Sequence, residues 1–156
     1  MHSVELLVFE RDQTADSARL LLEREFSFET TVTEVQTPLT GIVAVDDFFE
    51  WMSALRPLTK RTVIFLVPNR LFAAFDHEIV SEARVDRIVI ATTKLTPESL
   101  SRVLRHEIGL VLGLKVHWGC VMSRSFVENP VFCVECRQAL LKRGIAWHAD
   151  TRHRTS

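Results

Sequence analysis

Two short pairs of metal-ligand residues stand close together in the last third of this 156-residue chain. His117 and Cys120 are separated by two residues, and twelve residues later Cys133 and Cys136 repeat that gap. Zinc in a closed structural site takes four Cys or His ligands in a tetrahedron, and each short pair can grip one side of it while the loop between them closes over the ion. The spacing predicts one zinc held by His117, Cys120, Cys133 and Cys136. The plainer alternative makes the cysteines small buried hydrophobes and His117 a surface residue, which suits one cysteine better than three with a histidine in register.

A second polar pair, His106 and Glu107, lies just upstream on a stretch of helical periodicity. Thr96 suits the N-cap and Pro97 the first helical position, Leu100, Val103, Leu104, Ile108, Val111 and Leu112 make one face apolar, and Gly113 is a stop. An HExxH helix sets two histidines one turn apart on one zinc, with the glutamate beside them to take a proton from the bound water. Here Leu110 stands one turn after His106, and leucine has no lone pair to offer. Taken alone, a His-Glu pair is ordinarily two polar side chains and nothing more.

Read together, HEIGLVLGLKVH, CVM and FCVEC resemble the archaemetzincins, compact metzincin-type zinc metallopeptidases whose pattern runs HExxHxxGxxHC, then CxM, then CxxC. In that family three histidines hold a catalytic zinc, the glutamate is the general base, and four cysteines hold a second zinc. The resemblance sets His106 at the first catalytic ligand, Glu107 at the base, Gly113 at the glycine and Met122 at the turn beneath the metal. The second histidine falls on Leu110 and the third on Val116. Of the four cysteines the first falls on His117, the others on Cys120, Cys133 and Cys136. The family's gaps around the second metal are longer, so this chain is trimmed there. His117 has two readings: it replaces the first cysteine, or it is the third catalytic histidine displaced by one residue.

The resemblance implies an α/β (α+β) fold: a metzincin-like mixed sheet with an active-site helix and a backing helix, plus a small zinc-stapled C-terminal subdomain. One domain is expected over residues 1–148, divided into 1–114 and 115–148, with a tail at 149–156. Catalytic zinc needs three protein ligands. The expected protein is therefore a metallopeptidase homologue with a lost or impaired catalytic site, in which Glu107 is idle, His106 is a remnant ligand and one structural zinc is kept. It would act by binding a peptide or protein partner. Two alternatives stand beside this: an active zinc metallopeptidase using non-standard ligands such as a displaced His117 and His77, and a small zinc-stabilised protein-binding module.

The elements that must position these residues are legible upstream. Apolar and β-branched runs predict strands over residues 4–9, 30–36, 61–67 and 87–92, sharing one sheet. Helices are expected over 15–26, from a cap at Asp46 or Asp47 to near Pro57, over 97–112, and over 137–143 with Gly144 at its end. Residues 43–45 are a short apolar stretch of undetermined type. Residues 68–86 are undetermined, and His77 within them reads as part of a solvated helix or loop because no second histidine stands at ligand spacing. Trp147 and His148 are expected to begin a loose tail.

A chain that is 47% hydrophobic and of this length can bury a substantial core. A net charge of -1 with interspersed signs argues against nucleic-acid and membrane partners. The start lacks a signal-peptide pattern, and no apolar run approaches a membrane span. Three cysteines cannot all pair, so metal-bound thiolates in a reducing, cytoplasmic setting are expected. Oligomeric state has no signal here.

Overall fold

The computed structural model describes residues 2–57, 61–124 and 129–149. The elements follow in chain order: β1 (Ser3–Val8), α1 (Gln13–Phe26), β2 (Glu29–Glu34), β3 (Ile42–Ala44), α2 (Val45–Leu55), β4 (Thr62–Val67), β5 (Arg70–Ala73), β6 (His77–Ile79), β7 (Ser81–Arg84), β8 (Arg87–Ala91), α3 (Pro97–Val111) and α4 (Val134–Lys142). The main sheet has the order β2-β1-β4-β8-β7, and a small second sheet has the order β3-β5-β6. All four strands expected from sequence lie in the main sheet. They run parallel, while β7 joins β8 antiparallel and makes the sheet mixed.

Strand alternation sorts the core into two layers. Leu6 lies level with Val32 on one side and Ile64 on the other, and Ile64 with Ile88. This row, with Val4, Val8, Leu66 and Ile90, packs against α1 and α3. The intervening residues Leu7, Val63, Phe65, Val67 and Val89 face the other way, onto Phe48, Phe49 and Met52 of α2 and Leu71 of the small sheet. Strands covered on both faces must be apolar throughout, which is why β1, β4 and β8 read as continuous hydrophobic runs. The one acid in β1, Glu5, is buried on the α2 side. Desolvation alone would raise its pKa, but hydrogen bonds from Arg56, at 2.7 Å to Nε, and from Thr33 hold it below the usual carboxylate range.

The helix ends follow local chemistry. Asp12 caps α1 by accepting from the Ala15 N–H, and Thr96 caps α3 by accepting from that of Ser99 with Pro97 behind it. After α3, Gly113 takes φ 87, which terminates the helix as anticipated. The α2 cap differs from expectation. The helix starts at Val45 with Ala44 at the cap and no side-chain bond, and Asp46 and Asp47 lie in the first turn, where their charge meets the positive end of the helix dipole.

Three other expectations are corrected. Residues 68–86 hold three short strands, and His77 is in β6 and exposed, paired in register with Ala73. The last helix begins at Val134, three residues early, because the CxxC segment itself forms its first turn. The third correction concerns the expected loose tail, which is core. Trp147 is 7% exposed and meets the edge of Phe132 at 5.0 Å, and its Nε1 donates to Glu25 Oε2 at 3.0 Å. The His148 N–H donates to the Glu25 carbonyl at 2.9 Å. A long apolar ring carrying one donor finds both a hydrophobic slot and a buried acceptor, and periodicity cannot reveal either. Of the expected tail at 149–156, residues 150–156 lie outside the described residues.

Trp147→Ala is therefore expected to destabilise the fold by about 3–5 kcal/mol in denaturant unfolding, as for other buried aromatic truncations. A loose tail would give no measurable change.

Candidate metal centre and the His-Glu pair

The four predicted zinc ligands come together. The ligand atoms of His117, Cys120, Cys133 and Cys136 all lie within 4.8 Å of one another. His117 Nε2 is 3.1 Å from Cys120 Sγ, 3.4 Å from Cys133 Sγ and 3.6 Å from Cys136 Sγ, and the sulfurs of Cys120 and Cys136 are 3.9 Å apart. A tetrahedron with the usual zinc bond lengths has edges of about 3.5–3.8 Å, so the donor set fits that ion. His117 Nδ1 faces the Lys115 carbonyl at 2.9 Å, which fixes the tautomer with its proton there and turns Nε2 toward the sulfurs.

Two local structures deliver these atoms. His117 and Cys120 sit on a tight loop closed by the His117 N–H on the Met122 carbonyl and by the Met122 N–H on Cys120 Sγ. Cys133 is the N-cap of α4 and Cys136 lies one turn in, so the pair straddles the helix start. Residues 125–128 of the loop expected to close over the ion lie outside the described residues. The thiols are crowded. Burial alone would raise Cys133, yet hydrogen bonds from the Cys136 backbone, His117 and the neighbouring thiols bring it down to about 7. Cys136 is pushed up by burial and by the sulfurs beside it. His117 is raised, first by the Lys115 carbonyl and then by Cys133. One thiolate forms readily and the next resists, which is the situation a divalent cation relieves.

His106 and Glu107 lie on the buried side of α3, 6% and 4% exposed. Nδ1 of His106 is 2.8 Å from the Val121 carbonyl, and burial lowers its pKa against that hydrogen bond. Glu107 Oε1 is 2.6 Å from the Ser81 hydroxyl on β7, while Oε2 is buried with no hydrogen-bond partner among the described residues. Desolvation drives the Glu107 carboxyl up to about 7, against the Ser81 bond and helped by the charge of Glu82. Beneath α3 sits Met122. A Cβ on Gly109 would fall 2.4 Å from its sulfur, so only glycine lets the thioether rest directly on the helix.

Among the described residues, His106 belongs to no group of three or more ligand side chains in reach of one ion. Among the described residues, the His117 cluster alone has three or more ligand side chains in reach of one ion. Leu110 is half-buried against the core and Val116 is 44% exposed. His77 is exposed on β6 and belongs to no such group. Ser81 is the partner that sequence reading missed. It lies in the undetermined 68–86 segment, and nothing in its type or spacing links it to Glu107 across 26 positions.

No helix among the described residues is long and apolar enough to cross a membrane.

A buried acid with a raised pKa stabilises least where it must ionise. The unfolded Glu107 loses its proton near pH 4.5 and the folded one near 7, so folding stability falls as pH rises through that window. Glu107→Gln is expected to remove this slope and to leave the variant more stable than the parent at pH 8 by up to about 3 kcal/mol. Parallel unfolding curves for the two proteins from pH 5 to 8 would refute it.

Comparison with known proteins bears on the fold. No family model and no curated protein matches this sequence. Solved structures do match. The archaemetzincin AmzA of Archaeoglobus fulgidus, complexed with malonate, superposes with a TM-score of 0.70 at 20% identity, covering 88% of this chain and 99% of that one. AmzA of Methanopyrus kandleri gives 0.65 at 20% identity, over 90% and 94% of the two chains. A zinc-dependent peptidase of Methanocorpusculum labreanum gives 0.58 at 17% identity, over 88% and 99%. With the parallel strands, the antiparallel β7, the His-Glu helix and the Cys3His cluster in place, the chain has an archaemetzincin-like fold.

Proposed function

We propose that this protein is an archaemetzincin-like zinc protein that keeps one structural zinc and has lost the catalytic one, so that it binds a peptide or protein partner and does not hydrolyse it. Residues 1–148 act as one unit, with 115–148 as its zinc-stapled part, in a reducing cytoplasmic setting. The observation that carries the zinc is the Cys3His group, four ligand atoms within 4.8 Å with the imidazole already oriented. That set is complete with protein ligands, leaving no position for a reactive water, so this ion would be structural. The same engagement of both His117 nitrogens favours its reading as the replaced cysteine.

The loss of catalysis rests on donors. His106 is followed one turn later by Leu110, and Val116 stands at the third ligand position. A cation beside hydrocarbon with one imidazole to hold it would lose its hydration without recompense. Glu107 then has no metal-bound water to deprotonate, and its buried, proton-retaining carboxyl suits an idle base.

Metal analysis tests the first half. The purified protein is expected to carry one zinc per chain, and Cys133→Ser is expected to release it and lower the melting temperature. Full zinc with unchanged melting in that variant would defeat the assignment. The second half is tested by restoring the missing ligands. The double variant Leu110→His, Val116→His is expected to bind a second zinc that the parent does not. Chelator-sensitive cleavage of a mixed peptide library by the parent, abolished by Glu107→Ala, would instead establish an active peptidase.

A further inference from the structure

The zinc-stapled part of the chain exposes apolar side chains beside its ligands. Among the described residues seven large hydrophobic side chains are exposed, and four of them, Val116, Trp118, Val134 and Leu141, belong to this part. Trp118 is 86% exposed and lies in the metal loop between His117 and Cys120. Val134 is 64% exposed and follows Cys133, whose sulfur is 3.4 Å from His117 Nε2. Trp118 and Val134 are thus each next in the chain to one of two ligands that touch. Leu141, 58% exposed, lies two turns along α4 from Val134 on the same helix face, away from the buried Cys136 and Leu140. An apolar row therefore runs from the metal loop along α4. Exposed hydrophobes scattered singly are ordinary, whereas a continuous row marks a surface that another molecule covers.

Charge specifies the occupant. The net charge of -1 conceals an uneven division: residues 1–114 carry twelve Lys and Arg against seventeen Asp and Glu, whereas residues 115–156 carry seven against three. The ion pairs between described residues all join positions within 5–105. In the zinc-stapled part, Lys115, Arg124, Arg137, Lys142 and Arg143 stand with one acid, Glu135, and among the described residues no ion pair joins any of them. Lys115 precedes Val116, Lys142 follows Leu141, and Arg137 lies on α4 between Val134 and Leu141. Cations without carboxylate partners therefore border the apolar row, and a partner that supplies carboxylates meets attraction there.

We infer that this row is the docking site of an acidic peptide segment, which sets apolar side chains on Trp118, Val134 and Leu141 and its carboxylates toward Lys115, Arg137 and Lys142. This site gives the peptide or protein partner of the proposed function, on which it rests, a surface and a chemistry. A second copy of the chain seated on the same row would bring like charges together, which opposes association. A nucleic-acid strand binds through aromatic faces that stack on successive bases, and the row offers one indole and three aliphatic side chains. Aliphatic side chains and an indole instead suit the leucine and phenylalanine side chains of a peptide.

Titration of the full chain with a capped peptide of three Asp-Asp-Leu-Phe repeats, followed at the Trp118 indole N–H in heteronuclear NMR, tests this. The peak is expected to shift saturably with Kd on the order of 10–100 μM at low salt, and binding to weaken as salt is added. The same peptide with lysine in place of aspartate is expected not to bind. Trp118→Ala truncates an exposed side chain, so its melting temperature is expected to match the parent's, while binding of the labelled acidic peptide in fluorescence anisotropy is expected to fall at least about tenfold. The double variant Lys115→Glu, Lys142→Glu is expected to lose binding to a similar extent. Undiminished binding by the folded Trp118→Ala protein would overturn the docking site and leave peptide binding elsewhere on the chain in place. No saturable shift, tighter binding of oligothymidylate than of the acidic peptide, or self-association of the chain that Trp118→Ala abolishes would each overturn it as well. Zinc content measured on the same sample separates the two readings: a chain that takes up no zinc yet binds the peptide through Trp118 would defeat the structural zinc and leave the docking site standing.

Discussion

One buried carboxylate ties the molecule together. Glu25, near the end of α1, is 1% exposed and accepts from Arg105 of α3 through both oxygens, at 2.6 and 2.8 Å, and from Trp147 at 3.0 Å. Arg105 reaches on to the Pro130 carbonyl at 2.8 Å. Thus α1, α3, the segment before α4 and the chain after it meet at one charge. A buried ion pair of this kind contributes little net stability against a well-packed apolar substitute, but it is costly to break, because the remaining charge stays buried. Its consequence is geometric. It sets the height and rotation of α3, and with them where His106 and Glu107 lie.

The region below α3 is joined to the same frame. Met122 rests on Gly109, Val121 offers its carbonyl to His106, and both residues follow directly on Cys120. The metal loop and the His-Glu helix are therefore one packed unit, and order in the first is felt by the second. Metal binding in small zinc folds is worth about 10–16 kcal/mol, comparable to the whole stability of a domain. An ion at the Cys3His group would accordingly help to hold the segment beneath α3 in shape. Glu107 lies buried beside Ser81, with its carboxyl kept protonated to about neutral pH.

The two faces of the sheet divide these roles. The Cys3His group and the His-Glu pair lie with α1 and α3, whereas the α2 face carries the small β3-β5-β6 sheet and the buried Arg87, which pairs with Asp86 at 3.5 Å. Both faces are packed against the same strands, which is possible because β1, β4 and β8 alternate apolar side chains to each side.

Much of this was legible in the residues alone. Continuous β-branched and apolar runs announced β1, β4 and β8, the Thr96-Pro97 start and Gly113 stop bounded α3, and paired ligand gaps announced the Cys3His group, because each of these depends only on neighbours within a turn or a strand. That Leu110 and Val116 have no lone pair to offer a metal was equally plain, since this is independent of the fold. Tertiary structure alone decided the rest. It made strands of residues 70–84, where no periodicity spoke. It drew Ser81 to Glu107, set Trp147 against Phe132 and Glu25, and buried Arg87 beside Asp86. Those outcomes depend on which distant surfaces meet, and so on the desolvation and pairing of single polar atoms, which the linear order of residues does not encode locally.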